Sequence, residues 1–468
     1  MSQFHMVASL RAKRAAARGD RISALAFCEP PPVQVLTTLG LHLSVLDRNQ
    51  QRSNSDRVCL ALAQAELGDI CFAEELASPS HRRTSSHDRR RLTLAIGRWS
   101  AHRASAMTLT DDKLVSCALA LAASDIEAGQ RLLSSCDAYE VDSPNGALLG
   151  SALSAAAGNH CKARKLANRA FDAFGLQRPL DEMSKEPISL ASLVSASCRP
   201  LSTRPQTPMP LVSILMPAHN ASATITSAIK SVLAQTWRNL ELIVVNDASS
   251  DETVKAAQEA FGNDRRCRII SMPKQRGTYA ARNRGLKEAN GEFIAFNDAD
   301  DWSHPERLAQ SLQPMLMSPS LMATQSKLVR LAAGGIFIAP RVFPLIRANP
   351  SSLVFRRREV VEALGGFEEI ALGSDEEFMA RLISHFGTTS VKQIPKLLAV
   401  ASQTAGSLTG SNYTGLHTVD GQIRRLGYRE AWHKKHLQIY KSAKNDPMGQ
   451  KLLQRYSFCW RLGSHAWG

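Results

Sequence analysis

The chain has 468 residues, 44% of them hydrophobic and 21% charged, with a formal net charge of +15. This length exceeds one ordinary core, the composition excludes global disorder, and the basic excess predicts an anionic partner: nucleotide phosphate, a lipid surface or nucleic acid. About +11 of that charge falls after residue 200 and about +8 after residue 420, so the excess lies late in the chain. Nine scattered cysteines, none spaced as CxxC, predict reduced thiols in a cytosol, with neither a disulfide framework nor a zinc site.

The opening stretch MSQFHMVASLRAKRAAARGD is basic without a continuous apolar core, which predicts no signal peptide and allows a short amphipathic helix. No stretch reaches the eighteen or so apolar residues of a membrane span; the best, ALLGSALSAAAG, is short and rich in Gly and Ala. The expected location is therefore cytoplasmic, with any membrane contact peripheral, at the inner face. Residues 1–175 are rich in Ala and Leu at helical spacing and poor in strand signals. Three segments, ALAQAELGDICFAEELA, ALALAASDIEAGQRLL and ALSAAAGNHCKARKLA, share one plan, a helix, a turn near Gly68, Ser124 or Gly158, and a second helix. Ser124 and Gly158 are 34 residues apart, the tetratricopeptide period, although the preceding step is longer. Degenerate tetratricopeptide-like hairpins and an ordinary Ala-rich bundle both fit, and either offers a surface for a protein partner.

Between these hairpins, SPSHRRTSSHDRRR reads as a solvated loop, and without interleaved aromatic residues it predicts no nucleic-acid binding. Residues 176–208 are rich in Pro and Ser and are expected to form an interdomain linker. From there the pattern alternates. LVSILMP, LELIVVND, RIISM and EFIAFND read as strands, and SATITSAIKSVLAQ, DETVKAAQEAF and TYAARNRGLKEA as helices. This predicts a mostly parallel α/β sheet covered on both faces, with ligands beyond the carboxyl ends of its strands. The strand and helix inventory is complete after about residue 205, so that part is expected to fold without the helical half. Three strands end in polar clusters, PAHN, NDASSDE and NDADDW. The last packs Asp298, Asp300 and Asp301 into four positions, a repulsion that water or a cation must relieve.

Residues 211 to about 410 resemble the family 2 glycosyltransferases, which have the GT-A nucleotide-sugar fold. The resemblance rests on VSILMPAHN, SVLAQTWRNLELIVVNDASSDET, RGTYAARNRGLKEANGEFIAFNDADDW, GGFEE and GSDEEFMARL, in the family's order and spacing. It implies a Rossmann-like, mostly parallel GT-A sheet domain at 209–415, preceded by the all-α domain at 1–175 and followed by a basic helical extension at 416–468. The implied activity is inverting, non-processive transfer of a hexose from a nucleoside-diphosphate sugar, with uridine expected as the base. The implied acceptor is a saccharide or lipid-linked saccharide, in polysaccharide or glycoconjugate biosynthesis. A QxxRW motif and membrane helices, usual in processive members, are lacking.

By the same resemblance Asp300 is the direct ligand of a divalent cation, Mn2+ or Mg2+, with Asp298 on the ribose or behind the metal. Asp301 is either part of this cluster or a helix N-cap before WSHPERL. Pro217, Ala218, His219 and Asn220 line the nucleobase pocket and Asp247 accepts from the base; Asn246 departs from the acid more often found beside it. Ser249 and Asp251 read as caps of the following helix. Arg276 and Arg282 approach the phosphates, with a structural ion pair as the alternative for Arg282. Asp375 holds the place of the general base, and Glu376 and Glu377 compete for it, since DEEFMARL also reads as a helix start.

The loop SQTAGSLTGSNYTG resembles one that closes over donor in some relatives. The basic segment IRRLGYREAWHKKHLQIYKSAK, with Leu426, Trp432, Leu437, Ile439 and Tyr440, either docks on an anionic bilayer or packs as a terminal helix. A catalytically inactive GT-A-like module, acting as a scaffold through its helical half, is the competing reading. The intact Asp247, Asp298, Asp300 and Asp375 count against it. A Rossmann-type oxidoreductase lacks its GxGxxG, and a nucleotidyltransferase leaves GGF and DEE unexplained.

Overall fold

A computed structural model describes residues 12–13, 33–38, 41–46, 53–78, 84–106, 112–193, 209–403, 414–416 and 418–444. The chain divides into two compact units, residues 1–111, 376–390 and 408–468 in one, and 112–375 with 391–407 in the other. The boundary at 111/112 cuts the expected 1–175 domain in two.

The first unit is helical. It contains α1 (Val33–Thr38), α2 (His42–Leu46), α3 (Asn54–Glu66), α4 (Cys71–Ala77), α5 (Ser86–Trp99) and α6 (Ala101–Ala106). Arg89, Arg90 and Arg91, expected in a loop, lie in the first turns of α5, where the Ser85 side chain accepts from the Asp88 amide and starts the helix.

The second unit begins with α7 (Lys113–Ala122), α8 (Ile126–Ser134), α9 (Ala138–Asp142), α10 (Pro144–Ala156) and α11 (His160–Asp172). The apolar stretch weighed as a membrane span is α10, whose residues from Gly146 to Ala155 are all buried. A helix apolar on every side is a core helix here, and no described helix is long and apolar enough to cross a membrane. Residues 176–193, expected in the linker, pack onto α11. Arg164 donates to the carbonyls of Asp181, Glu186 and Pro187, and Asn168 bonds both backbone groups of Leu180. Residues 194–208 of that stretch lie outside the described residues.

The sheet follows: β1 (Val212–Ala218), α12 (Ile225–Leu233), β2 (Leu240–Asn246), α13 (Thr253–Phe261), β3 (Cys267–Ser271), α14 (Thr278–Glu288), β4 (Phe293–Phe296), β5 (Asp301–Ser303), α15 (Arg307–Met317) and β6 (Ala323–Ala332). Then come β7 (Ile336–Ile338), β8 (Arg347–Ala348), β9 (Val354–Arg356), α16 (Arg357–Leu364), α17 (Ser374–Phe386) and β10 (Val391–Ser402). The strand order is β3-β2-β1-β4-β9-β6-β10-β5, with β7 and β8 paired to β6. Pairings β3/β2, β2/β1, β1/β4 and β6/β10 are parallel, while β4/β9, β9/β6 and β10/β5 are antiparallel. The sheet is thus mixed and mostly parallel in its first half, as the βα alternation dictates. β1 and β2 are buried along their whole length. The order reverses between β1 and β4, and the carboxyl ends of those strands are where such a sheet opens a crevice.

The N-terminal helices contribute to the core of this unit. The Phe171 ring of α11 stacks on His304 at 5.8 Å and meets Trp302 edge-on at 6.4 Å. His304 donates from Nε2 to the Gln177 carbonyl at 2.9 Å, and the Asn145 side chain accepts from the amides of Leu345 and Ile346. Helices 113–172 are therefore built into the sheet's unit, which differs from the expectation that the chain after 205 suffices.

In the first unit, α18 (Val419–Lys444) buries Leu426 and Trp432. Leu437 packs on a cluster containing Val35, Leu36 and Val45. Glu430 accepts from the amide and hydroxyl of Ser44 at 3.1 and 2.5 Å. Of the apolar residues that bilayer docking would place on the surface, Ile439 is exposed and these three are not. Residues 404–413 of the expected closing loop lie outside the described residues, as do 445–468.

Candidate active site

At the carboxyl end of β1 the chain turns through Asn220, and at that of β2 through Ala248, both left-handed with φ of 48° and 54°. Such backbone is strained for a side chain with a Cβ and persists only where surroundings enforce it. They do so here. The Ser249 hydroxyl accepts the Asn220 amide at 3.1 Å, and the Asn220 side chain accepts the Ser250 amide at 2.9 Å. Asp251 accepts the amides of Ser222 at 3.1 Å and Thr253 at 3.0 Å. Burial pushes the Asp251 carboxyl up, but hydrogen bonds from Thr253 and Ser222 outweigh it and hold the group down at about 2. Ser249 and Asp251, read as caps, thus lace the two strand ends together. Asn246 does the same within its own turn, accepting the Ser249 amide at 3.1 Å.

Pro217 and Ala218 are the last residues of β1, and His219 donates from Nδ1 to the Asp247 carbonyl at 2.8 Å. Asp247 is buried. Its two carboxylate oxygens accept the amides of Arg276 at 2.8 Å and Gly277 at 2.7 Å, so it secures the loop that enters α14. The Arg276 side chain pairs with Glu369. Asn283 of α14 reaches the same carboxylate at 3.2 Å and bonds both backbone groups of Phe367. A Cβ on Gly366 would stand 2.4 Å from the Asn283 amide oxygen, so this glycine lets GGF close onto AARNRG.

The three acids after β4 occupy different surroundings. Asp298 accepts from Arg282 at 2.8 Å and from the Ser351 hydroxyl at 2.7 Å. Burial opposes its charge, but the Arg282 guanidinium and the Ser351 hydroxyl outweigh that and keep it below the usual carboxylate range. Arg282 is itself 2% exposed and lies over the rings of Tyr279, Phe296 and Phe367 at 5.5, 4.8 and 5.8 Å. Of its two readings the ion pair is the one present, since this guanidinium is enclosed by aromatic faces and a carboxylate. Asp301 is buried as the first residue of β5. Burial, then the charges on Asp300 and Asp298, push its carboxyl well above the usual range. The N-cap reading of Asp301 fails because a strand separates it from α15, which starts at Arg307. Asp300 is half-buried between them, raised by burial and by the charge on Asp298 to about 6.

The competing base candidates diverge. Asp375, in the first turn of α17, accepts from the Tyr279 hydroxyl at 3.1 Å. Glu376 takes a two-pronged bond from Arg429, both arms 2.9 Å. Glu377, 1% exposed, accepts from Arg381 at 2.7 Å and from His436 at 2.9 Å. Both glutamates are thus tied to helix partners within their own unit. Tyr279, Asn283, Ser351 and Glu369 escaped the sequence reading. Tyr279 and Arg282 stand three apart on α14, a visible spacing, whereas nothing local marks Ser351.

Among the described residues no three His, Cys, Asp or Glu side chains gather as a metal site. Asp300, partly open, and Asp298 beside it suit a cation whose remaining ligands are phosphate and water.

The description Glycosyl transferase family 2 matches residues 213–331, the strands and helices that carry these groups. The chain carries a family 2 glycosyl transferase domain. Similar over this domain is UDP-Glc:alpha-D-GlcNAc-diphosphoundecaprenol beta-1,3-glucosyltransferase WfgD of Escherichia coli, 43% identical over 106 residues, 23% of this chain and 41% of that protein. An uncharacterized glycosyltransferase of Haemophilus influenzae is 37% identical over 114 residues, 24% of this chain and 46% of that one. The chain spans less than half the length of these relatives. Among solved structures, a mannosyltransferase of Pyrobaculum calidifontis in complex with GDP-Man and Mn2+ has a TM-score of 0.35 at 17% identity, over 56% of this chain and 77% of the other.

Proposed function

We propose that this family 2 domain transfers a hexose from a nucleoside-diphosphate sugar to a saccharide or lipid-linked saccharide, with inversion and one sugar at a time. The observation that carries this reading is that one helix, α14, holds an acid on each side of the transfer: Arg282 pairs with Asp298 and Tyr279 bonds Asp375. In the reaction the acceptor oxygen bonds to the anomeric carbon, the bond from that carbon to the diphosphate oxygen breaks, and the acceptor's proton passes to the Asp375 carboxylate. Pro217, Ala218, His219 and Asn220 line the base pocket, with Asp247 fixing the loop at its edge. Asp300, with Asp298, would hold a divalent cation, Mn2+ or Mg2+, which offsets charge on the leaving diphosphate when bound. Release of Arg276 from Glu369 would let it reach the phosphates. The name of the Escherichia coli relative, with its UDP-glucose donor and diphosphoundecaprenol acceptor, supports uridine and a lipid-linked saccharide. A cytoplasmic site of action follows from such a donor. Contact with an anionic membrane would fall to the exposed Arg424, Lys434 and Lys435 of α18, and the helical first unit is the surface proposed for a protein partner.

Calorimetry of UDP binding with MnCl2 and with chelator tests this reading. Binding is expected to need the metal in the wild type and to lose at least about tenfold in affinity in Asp300→Ala. Equal affinity with and without chelator would remove the cation from the mechanism.

A further inference from the structure

We propose that Tyr279 is a positioning residue for Asp375, its hydroxyl fixing the orientation of the carboxylate that receives the acceptor's proton. This rests on the reading of Asp375 as the base. A carboxylate in the first turn of a helix turns about two side-chain torsions, and a general base is effective only when its oxygen faces the proton within hydrogen-bond reach. Tyr279 supplies a rigid reference for it. Its ring is 7% exposed, lies 5.7 Å from the Phe367 ring and sits under the Arg282 guanidinium, so the hydroxyl has little freedom once α14 is in place. Burial, reinforced by the Asp375 charge, pushes the phenol's ionisation above its ordinary range, so the hydroxyl keeps the proton it donates to Asp375. A phenylalanine keeps the ring and loses only this bond.

The test is UDP release from UDP-glucose with MnCl2 and water as the acceptor, measured for the wild type, Tyr279→Phe, Asp375→Asn and the double variant, beside calorimetry of UDP binding. Tyr279→Phe is expected to lower kcat about tenfold at unchanged KM and UDP affinity. In the Asp375→Asn background it should add no further loss, because the tyrosine acts through that carboxylate. The inference is overturned if Tyr279→Phe keeps the wild-type kcat, if it costs the same factor in both backgrounds, or if UDP affinity falls with the rate. Asp375→Asn turning over like the wild type would instead sink the base reading itself.

Discussion

Three consecutive glutamate and aspartate side chains at the start of α17 illustrate what residue type alone leaves undecided. Read locally, Glu377 is an acid favouring a helix N-terminus, a contribution under about 1 kcal/mol. In the folded chain it is buried against Arg381 and His436, and glutamine there removes the charge that both partners bond. Glu377→Gln is therefore expected to lower stability by about 2 kcal/mol, the low end for a buried pair because Arg381 is 22% exposed. Thermal unfolding of Glu377→Gln beside Asp375→Asn checks this, and equal melting temperatures for the two would refute it. Burial raises the Glu377 carboxyl, but the bonds from His436 and Arg381 win and hold it below its ordinary 4.5. A depressed folded value means the contribution is whole above about pH 4.5 and fades as pH falls below it, a dependence Glu377→Gln should lose. In the NDADDW cluster the sequence displays the repulsion and names the candidates. Which acid is paired depends on Arg282 and Ser351, the latter 53 residues away, and no local pattern carries that.

At the scale of elements, the three helical turns were legible and β5 was not. Gly68, Ser124 and Gly158 all have positive φ, of 91°, 61° and 77°. In each, the following N–H bonds back into the helix, Asp69 to Gln64, Asp125 to Ala120 and Asn159 to Ser154, the closure that a left-handed residue after a helix permits. Asp125 and Asn159 then cap the next helix. β5 has three residues and pairs with β10 through contacts such as Asp301 with Ala401, so its only signal lies a hundred residues downstream, and the sequence offers Asp301 as either a member of the acid cluster or a helix cap. The turns also expose one misfit. Ser124 occupies a conformation that costs a residue with a Cβ about 1 kcal/mol, and its two counterparts are glycines. Ser124→Gly is expected to stabilise the chain by up to about 1 kcal/mol in urea unfolding. A lower midpoint would mean the serine side chain, rather than the turn, matters there.

For the whole molecule, the change of composition near residue 176 looked like a domain border because Ala-rich helices give way to Pro and Ser. Composition marks where one kind of secondary structure ends, and it does not report which surfaces that structure covers. Phe171 is fully buried and stands against Trp302 and His304, themselves at 1% and 0% exposure, so a chain beginning at residue 209 would open those two rings to water. It would also leave the Leu345 and Ile346 amides without the Asn145 oxygen and His304 without the Gln177 carbonyl. Each buried polar group left unpaired costs about 1–3 kcal/mol, and emptying the Phe171 site alone costs about 3–5 kcal/mol, against a total stability of about 5–15 kcal/mol. Residues 209–468 are therefore expected to lack a cooperative thermal transition and to bind an apolar dye, while full-length Phe171→Ala folds with a lowered melting temperature. A monomeric 209–468 fragment that unfolds cooperatively and binds UDP as tightly as the full chain would show that helices 113–172 lie on a sheet able to stand without them.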